Sequence, residues 1–150
     1  MKKIEIISEG SNYVAGNIGN FDRLNEYLFL HPQLKREVQA KLFVGKTMKS
    51  SSMEISFQML PPNTEIPFYH KHADHEEIYI FLKGKGQFQI DHNTFDVQEG
   101  SIVKVAPTGK RTWRNSTNQP MIFMVIQGKA GSLEKYETAD GFGVPEKVQW

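Results

Sequence analysis

From Met53 onward the apolar residues recur at every second position, and that period decides most of what the chain can become. Met53, Ile55, Phe57 and Met59 alternate with Glu54, Ser56 and Gln58. Successive side chains of an extended strand point to opposite faces, so the pattern predicts a half-buried strand. The same reading predicts strands over Phe68–His72, Glu77–Leu82, Gln87–Ile90, Thr94–Val97, Ile102–Ala106, Arg111–Asn115 and Met121–Gln127. Turn residues fall between them: Lys83-Gly84-Lys85-Gly86, Asp91-His92-Asn93, Gln98-Glu99-Gly100 and Pro107-Thr108-Gly109. Eight short strands with little helix predict an all-β antiparallel sandwich or barrel.

Before Met53 the texture differs. Phe21, Leu24 and Leu28 fall at helical spacing behind Asn20, a good N-cap, and Pro32 ends the pattern. A short amphipathic helix from Phe21 to Leu30 is expected. Leu34, Val38 and Leu42 would continue at helical spacing, whereas Lys41-Leu42-Phe43-Val44-Gly45 reads equally well as a strand. At the other end, Ser132 to Trp150 is a polar tail whose Tyr136, Phe142, Val144 and Trp150 are expected to pack across the barrel surface. The 150 residues contain no repeat or long linker, so a single domain is expected. Its barrel core would span about 53–127, preceded by a helix and strand over 1–45 and followed by the tail over 132–150.

Composition removes several classes of function. With no cysteine, disulfides, zinc ribbons, iron–sulfur clusters and thiol nucleophiles are excluded. Eighteen basic against seventeen acidic residues leave a net charge of +1, without the basic field that nucleic acid requires. Met1-Lys2-Lys3 is followed by Ile4-Glu5-Ile6-Ile7-Ser8-Glu9, which breaks the apolar run of a signal peptide. The longest apolar run, Met121 to Ile126, is far too short to span a bilayer. A cytoplasmic protein with neither membrane nor nucleic-acid partners is the expectation. No catalytic triad, phosphate loop or dinucleotide fingerprint is visible.

The chemistry is concentrated in Phe68-Tyr69-His70-Lys71-His72-Ala73-Asp74-His75-Glu76-Glu77-Ile78-Tyr79. On a strand, His70 and His72 share a face. Two imidazoles side by side make half of a transition-metal site, and Glu76 or Glu77 can add a carboxylate oxygen. Two histidines and one carboxylate suit non-haem iron, zinc or manganese. The alternative is a barrel-lining polar pair bonded to each other, to water or to a small ligand. His75 and His92 read as surface loop residues, and His31 as an imidazole meeting the last carbonyls of the helix. Trp113 reads as core, or as a platform for a ring.

The segment resembles the first motif of the cupin superfamily, Gly-x5-His-x-His-x3-4-Glu-x6-Gly. His70, His72, Glu77 and Gly84 fall on it, with four residues between His72 and Glu77 and six between Glu77 and Gly84. Thr64 stands where the motif opens with glycine. The second motif, Gly-x5-Pro-x-Gly-x2-His-x3-Asn, is traceable through Gly100, Pro107, Gly109 and Asn115, with one extra residue before Pro107. The resemblance is to small single-domain cupins of the bacterial, conserved-barrel kind. It implies a jelly-roll β-barrel with a divalent metal held by His70, His72 and Glu77, and it suggests a homodimer. Iron, manganese, zinc and nickel are not distinguished.

The second motif departs at its histidine. Counting from Gly109 the position is Thr112, and counting back from Asn115 it is Arg111. Arg111 keeps the strand register, because Arg111, Trp113 and Asn115 then share one face. Its guanidinium would either pair with Glu77 in the metal's place or grip an anionic group of a substrate beside a three-ligand metal. In the second case Arg111 orients the substrate and Tyr79 serves as an acid or hydrogen-bond donor. Two functions follow: a metal-dependent, oxygenase- or isomerase-like cupin acting on a small anionic or oxygenated molecule, and a metal-free ligand-binding or structural cupin. A third expectation is an interaction module that pairs subunits through an exposed strand at Met121–Ile126.

Overall fold

The computed structural model describes residues 2–32, 35–137 and 140–150. Thirteen strands are present among them: β1 (Glu5–Gly10), β2 (Tyr13–Asn17), β3 (Leu28–His31), β4 (Arg36–Gln39), β5 (Lys41–Phe43), β6 (Met53–Leu60), β7 (Thr64–Glu65), β8 (His75–Lys83), β9 (Lys85–Ile90), β10 (Asn93–Gln98), β11 (Ile102–Val105), β12 (Arg111–Asn115) and β13 (Met121–Lys129). A 3-10 helix at Phe21–Glu26 and one α-helical turn, α1 (Gly45–Met48), complete the inventory of regular structure. Two sheets form the body, with strand orders β11-β8-β13-β6-β5 and β10-β9-β12-β7. Their crossing connections are those of a jelly roll, as expected. Strands β1–β2 and β3–β4 form separate hairpins. No helix among the described residues is long and apolar enough to cross a membrane.

The alternation on β6 is present, but its inner face is the polar one. Ser56, Gln58 and Leu60 are buried, facing the second sheet. Register explains this: Ser56 stands opposite Val125 and Gln58 opposite Phe123 on β13, and both partners belong to the inter-sheet core. Phe57 and Met59 point outward into a second cluster with Leu24, Tyr27 and Ile122. The N-terminal segment covers that outer face, so both faces of the central strands are buried. The inter-sheet core is aromatic: Trp113 stacks on Phe88 at 5.8 Å and 12°, and Tyr79, Phe81 and Phe123 close around them. Each such ring contributes about 1.5–3 kcal/mol by leaving water.

Several expectations are corrected. Asn20 does cap the helix, its Oδ1 accepting from the Asp22 N–H at 2.8 Å, but the turn is 3-10 and stops at Glu26. Leu28–His31 becomes a strand instead, paired with Arg36–Gln39, so His31 lies on a strand and not at a helix end. Leu34 lies outside the described residues, while Val38 and Leu42 fall on strands, which resolves the ambiguity at Lys41 in favour of β. Phe68–His72 is no strand: beyond β7 Pro67 offers no N–H to the ladder, and only His70 bridges to Arg111. Met121–Ile126 is a central strand flanked by β6 and β8, and Met121, Ile122 and Phe123 are wholly buried, so no exposed pairing edge exists there. Tyr136, Phe142, Val144 and Trp150 do not pack on the barrel; all four are exposed.

Candidate metal centre

Strand alternation on β8 turns Glu77 and Tyr79 inward and Glu76 outward, where Glu76 pairs with Lys104 at 3.0 Å. The segment after β7 runs beside β12, tied by the reciprocal bonds His70 N–H to Arg111 C=O and Arg111 N–H to His70 C=O, each 3.1 Å. The His72 N–H then donates to Pro107 C=O at 2.9 Å. An irregular strap, pinned by backbone bonds, thus brings His70 and His72 over Glu77. His75 opens β8 as a half-buried strand residue, not a loop residue, and joins no cluster with the others.

His70, His72 and Glu77 offer three ligand atoms that all lie within 4.8 Å of one another. His72 Nε2 is 3.2 Å from Glu77 Oε1, and His70 Nε2 is 3.7 Å from Glu77 Oε2. Ligands sharing an ion at bonds of about 2.0–2.2 Å stand roughly 3–4.4 Å apart, so the set fits a single cation. His72 Nε2 is buried and, among the described residues, makes no hydrogen bond of proper geometry; Glu77 Oε1 at 3.2 Å is a neighbour off the bonding direction. The two imidazoles remain a quarter to a third exposed while Glu77 is nearly covered, so the cluster opens on its histidine side.

Arg111 is fully buried at the position of the second-motif histidine. Its Nε and Nη2 donate to Glu77 Oε2 at 3.0 and 2.7 Å, and Nη1 donates to the carbonyls of Gly109 at 2.8 Å and Pro107 at 3.3 Å. Each of the three guanidinium nitrogens thus donates within the protein. Of the two roles open to it, the geometry has the ion pair with Glu77, not a free substrate clamp. Tyr79 is likewise committed, its hydroxyl donating to Glu77 Oε2 at 2.6 Å. Oε2 therefore takes three donors, and Oε1 faces His72.

Burial by itself would raise the Glu77 carboxyl, but the neighbouring His70, the Tyr79 hydroxyl and the Arg111 guanidinium together hold it well below the usual carboxylate range. Tyr79 moves the other way, pushed up by burial and by the Glu77 charge, so it stays protonated as a donor. Burial lowers His72 more than Glu77 raises it, which favours the neutral imidazole that binds metals. Asn115 closes the far end of β12. Its Nδ2 donates to the carbonyls of Leu60, Pro61 and Gln119 at 3.1, 3.0 and 2.7 Å, holding the corner after β6.

One charged residue of the interior went unread in the sequence. Lys41 stands opposite Gln58 on β5, which puts it on the inner face of the large sheet. The signal was available in the strand reading of Lys41-Leu42-Phe43, since alternation sets Lys41 and Phe43 together against Leu42. A separate cavity of about 550 Å³ opens on the outer side of the same sheet, lined by residues such as Ile18, Phe21, Met48 and Phe57. Its described lining carries no charged side chain.

A jelly-roll barrel with two histidines and a glutamate at the mouth between its sheets defines a class, and comparisons with known proteins agree with it. A Cupin domain family model matches residues 56–127. A cupin protein of Bacteroides fragilis is 36% identical, with a TM-score of 0.66, over 69% of this chain and 88% of that one. The chain belongs to the cupin family. An uncharacterized protein of Methanocaldococcus jannaschii is 25% identical over 67% of this chain and 77% of its own length. A predicted oxalate decarboxylase of Thermotoga maritima shares the fold at a TM-score of 0.54 and 24% identity, over 63% of this chain and 83% of that one.

Proposed function

We propose that this cupin holds a divalent cation through His70 Nε2, His72 Nε2 and Glu77, and acts on a small anionic or oxygenated molecule entering past the two histidines. The observation that carries the reading is the convergence of three ligand atoms within 4.8 Å, one of them a buried imidazole nitrogen with no other partner. Bound there, a divalent ion would polarise the oxygens of the incoming molecule at its open positions. Iron, manganese, zinc and nickel all accept this ligand set. Arg111 and Tyr79 act through Glu77: three donors on Oε2 fix the carboxylate's rotation and leave Oε1 toward His72. The names of fold neighbours, a predicted oxalate decarboxylase and a putative sugar phosphate isomerase, concern chemistry on small oxygenated anions and are compatible with this substrate class.

A thermal-shift titration with manganese, iron(II), zinc and nickel tests the cation. Ligand at a hundred times its dissociation constant stabilises by about 2.7 kcal/mol. The parent is expected to shift upward with at least one metal, and His70→Ala/His72→Ala with none. A second reading, a metal-free barrel built on the buried Arg111–Glu77 pair at 2.7 Å, predicts instead that neither protein shifts.

A further inference from the structure

Lys41 occupies a place where a lysine is costly. Opposed residues of an antiparallel ladder share a face, and β5 sets Lys41 opposite Gln58 and Phe43 opposite Ser56. Gln58 and Ser56 in turn oppose Phe123 and Val125 of the inter-sheet core. The Lys41 ammonium rests 5.0 Å from the centroid of the Phe43 ring, and among the described residues no carboxylate lies within ion-pair distance of it. Arg111, the other cation of the interior, is matched by Glu77. Burial lowers Lys41 from the usual ammonium range, and the Glu77 carboxylate is near enough to draw it partly back.

Two unpartnered polar atoms, one from each sheet, are buried in the inter-sheet space: Gln58 Oε1 on β6 and Trp113 Nε1 on β12. The Trp113 ring meets Phe123 at 5.6 Å, and Phe123 stands directly opposite Gln58. Native interiors rarely leave such atoms unsatisfied, so each is a point at which a polar guest would be held, and an unmatched ammonium on the same sheet face as Gln58 adds charge to them. The set offers two donors, one of them cationic, and one acceptor. A carboxylate bearing a neighbouring hydroxyl has the complementary pattern. Its oxygens accept from ammonium and indole, and its hydroxyl donates to the amide oxygen.

We propose that Lys41, Gln58 and Trp113 form an anion subsite inside the barrel for the carboxylate end of a small hydroxycarboxylate. The proposal rests on the reading that the barrel interior is the working site, and it does not require the cation to be bound. It deepens that reading by assigning the substrate class to residues remote in sequence from the histidine motif. Lys41 supplies the charge and Gln58 the preference for a hydroxyl.

The test is a calorimetric titration with glycolate, acetate and inorganic phosphate in the presence of chelator, on the parent and on Lys41→Met, Lys41→Arg and Gln58→Leu. Loss of a charge-assisted bond is worth about tenfold or more in affinity. Glycolate is expected to bind more tightly than acetate or phosphate, and to lose about that factor in Lys41→Met while Lys41→Arg keeps it within a few-fold. Gln58→Leu should bind glycolate no better than acetate. Lys41→Met is expected to unfold no earlier than the parent, because it removes a half-buried charge that no carboxylate pairs. Glycolate binding unchanged in Lys41→Met, lost equally in Lys41→Arg, weaker than phosphate, or absent from the parent would each overturn the subsite. Repeating the titration in His70→Ala/His72→Ala separates the two claims. Lys41-dependent binding that survives there upholds the subsite even where metal binding fails, and metal binding with Lys41-independent glycolate sinks the subsite alone.

Discussion

Glu77 is the residue on which the interior turns, because among the described residues it is the one carboxylate that Arg111 meets in its buried position. Breaking a buried pair by removing one partner typically costs about 3–5 kcal/mol, since the surviving charge has nowhere to go. Glu77→Gln is therefore expected to lose that much in urea denaturation at neutral pH. The pH dependence has a definite sign. The folded pKa lies below the unfolded value of about 4.3, so the stabilisation is complete above that value and is lost as pH falls toward the folded one. Melting temperatures of the parent should fall steeply in that acid window, and those of Glu77→Gln should fall less. The same charge pairing bears on the metal. With Arg111 already matching Glu77, an entering cation meets little net attraction. Arg111→His removes the positive charge and adds a third imidazole as a fourth ligand, so it is expected to bind zinc or manganese at least about tenfold more tightly than the parent. Equal affinities would show that Arg111 does not oppose the ion. At this scale much was legible: the spacing of His70, His72 and Glu77 and the register of Arg111 were enough to bring four residues together. What spacing could not convey was that every nitrogen of Arg111 is bonded within the protein, because its carbonyl acceptors at Pro107 and Gly109 depend on how that turn folds back.

At the scale of elements, turns hold the register that aligns the cluster. Gly84 has φ +82°, and a Cβ there would stand 2.3 Å from the Pro120 carbonyl oxygen, so the β8–β9 connection passes too close to the start of β13 for a side chain. Gly100 has a similar φ of +85° but open space around it. Gly84→Ala is accordingly expected to cost about 1–3 kcal/mol or more, and Gly100→Ala to cost less, in parallel thermal melts. Equal losses would mean that φ alone matters and the approach of β13 does not. Strand existence from Met53 to Gln127 followed from period two and from turn residues, which are local signals. The failures were also local in origin. Phe68–His72 alternates like a strand, but Pro67 interrupts the ladder and leaves a strap. Leu28 to Leu30 could end a helix or begin a strand, and only pairing with Gln39 to Glu37 decides between them.

The molecule as a whole buries both faces of its large sheet, and this reverses the polarity that β6 suggests. Read alone, Ile55, Phe57 and Met59 belong inside and Ser56 and Gln58 outside. The N-terminal 3-10 helix and Tyr27 lie over Phe57 and Met59, and the polar set turns into the barrel on the face that carries Lys41. No single strand carries that information, since it depends on which layer lies over which face. The tail, in contrast, adds nothing visible to this packing. Its described residues from Leu133 on are exposed, so deleting 133–150 is expected to change the unfolding free energy by no more than about 0.5 kcal/mol. A larger loss in thermal or urea melts would require tail contacts with the barrel.

The central claim is that the barrel mouth is a cation site, and the most direct check is elemental analysis of protein purified without chelator and without a nickel column. Near-stoichiometric iron, manganese, zinc or nickel in the parent, and none in His70→Ala/His72→Ala, is the predicted result. Absence of metal from both, even after incubation with each ion, would contradict it and leave a barrel organised around Arg111 and Glu77 alone.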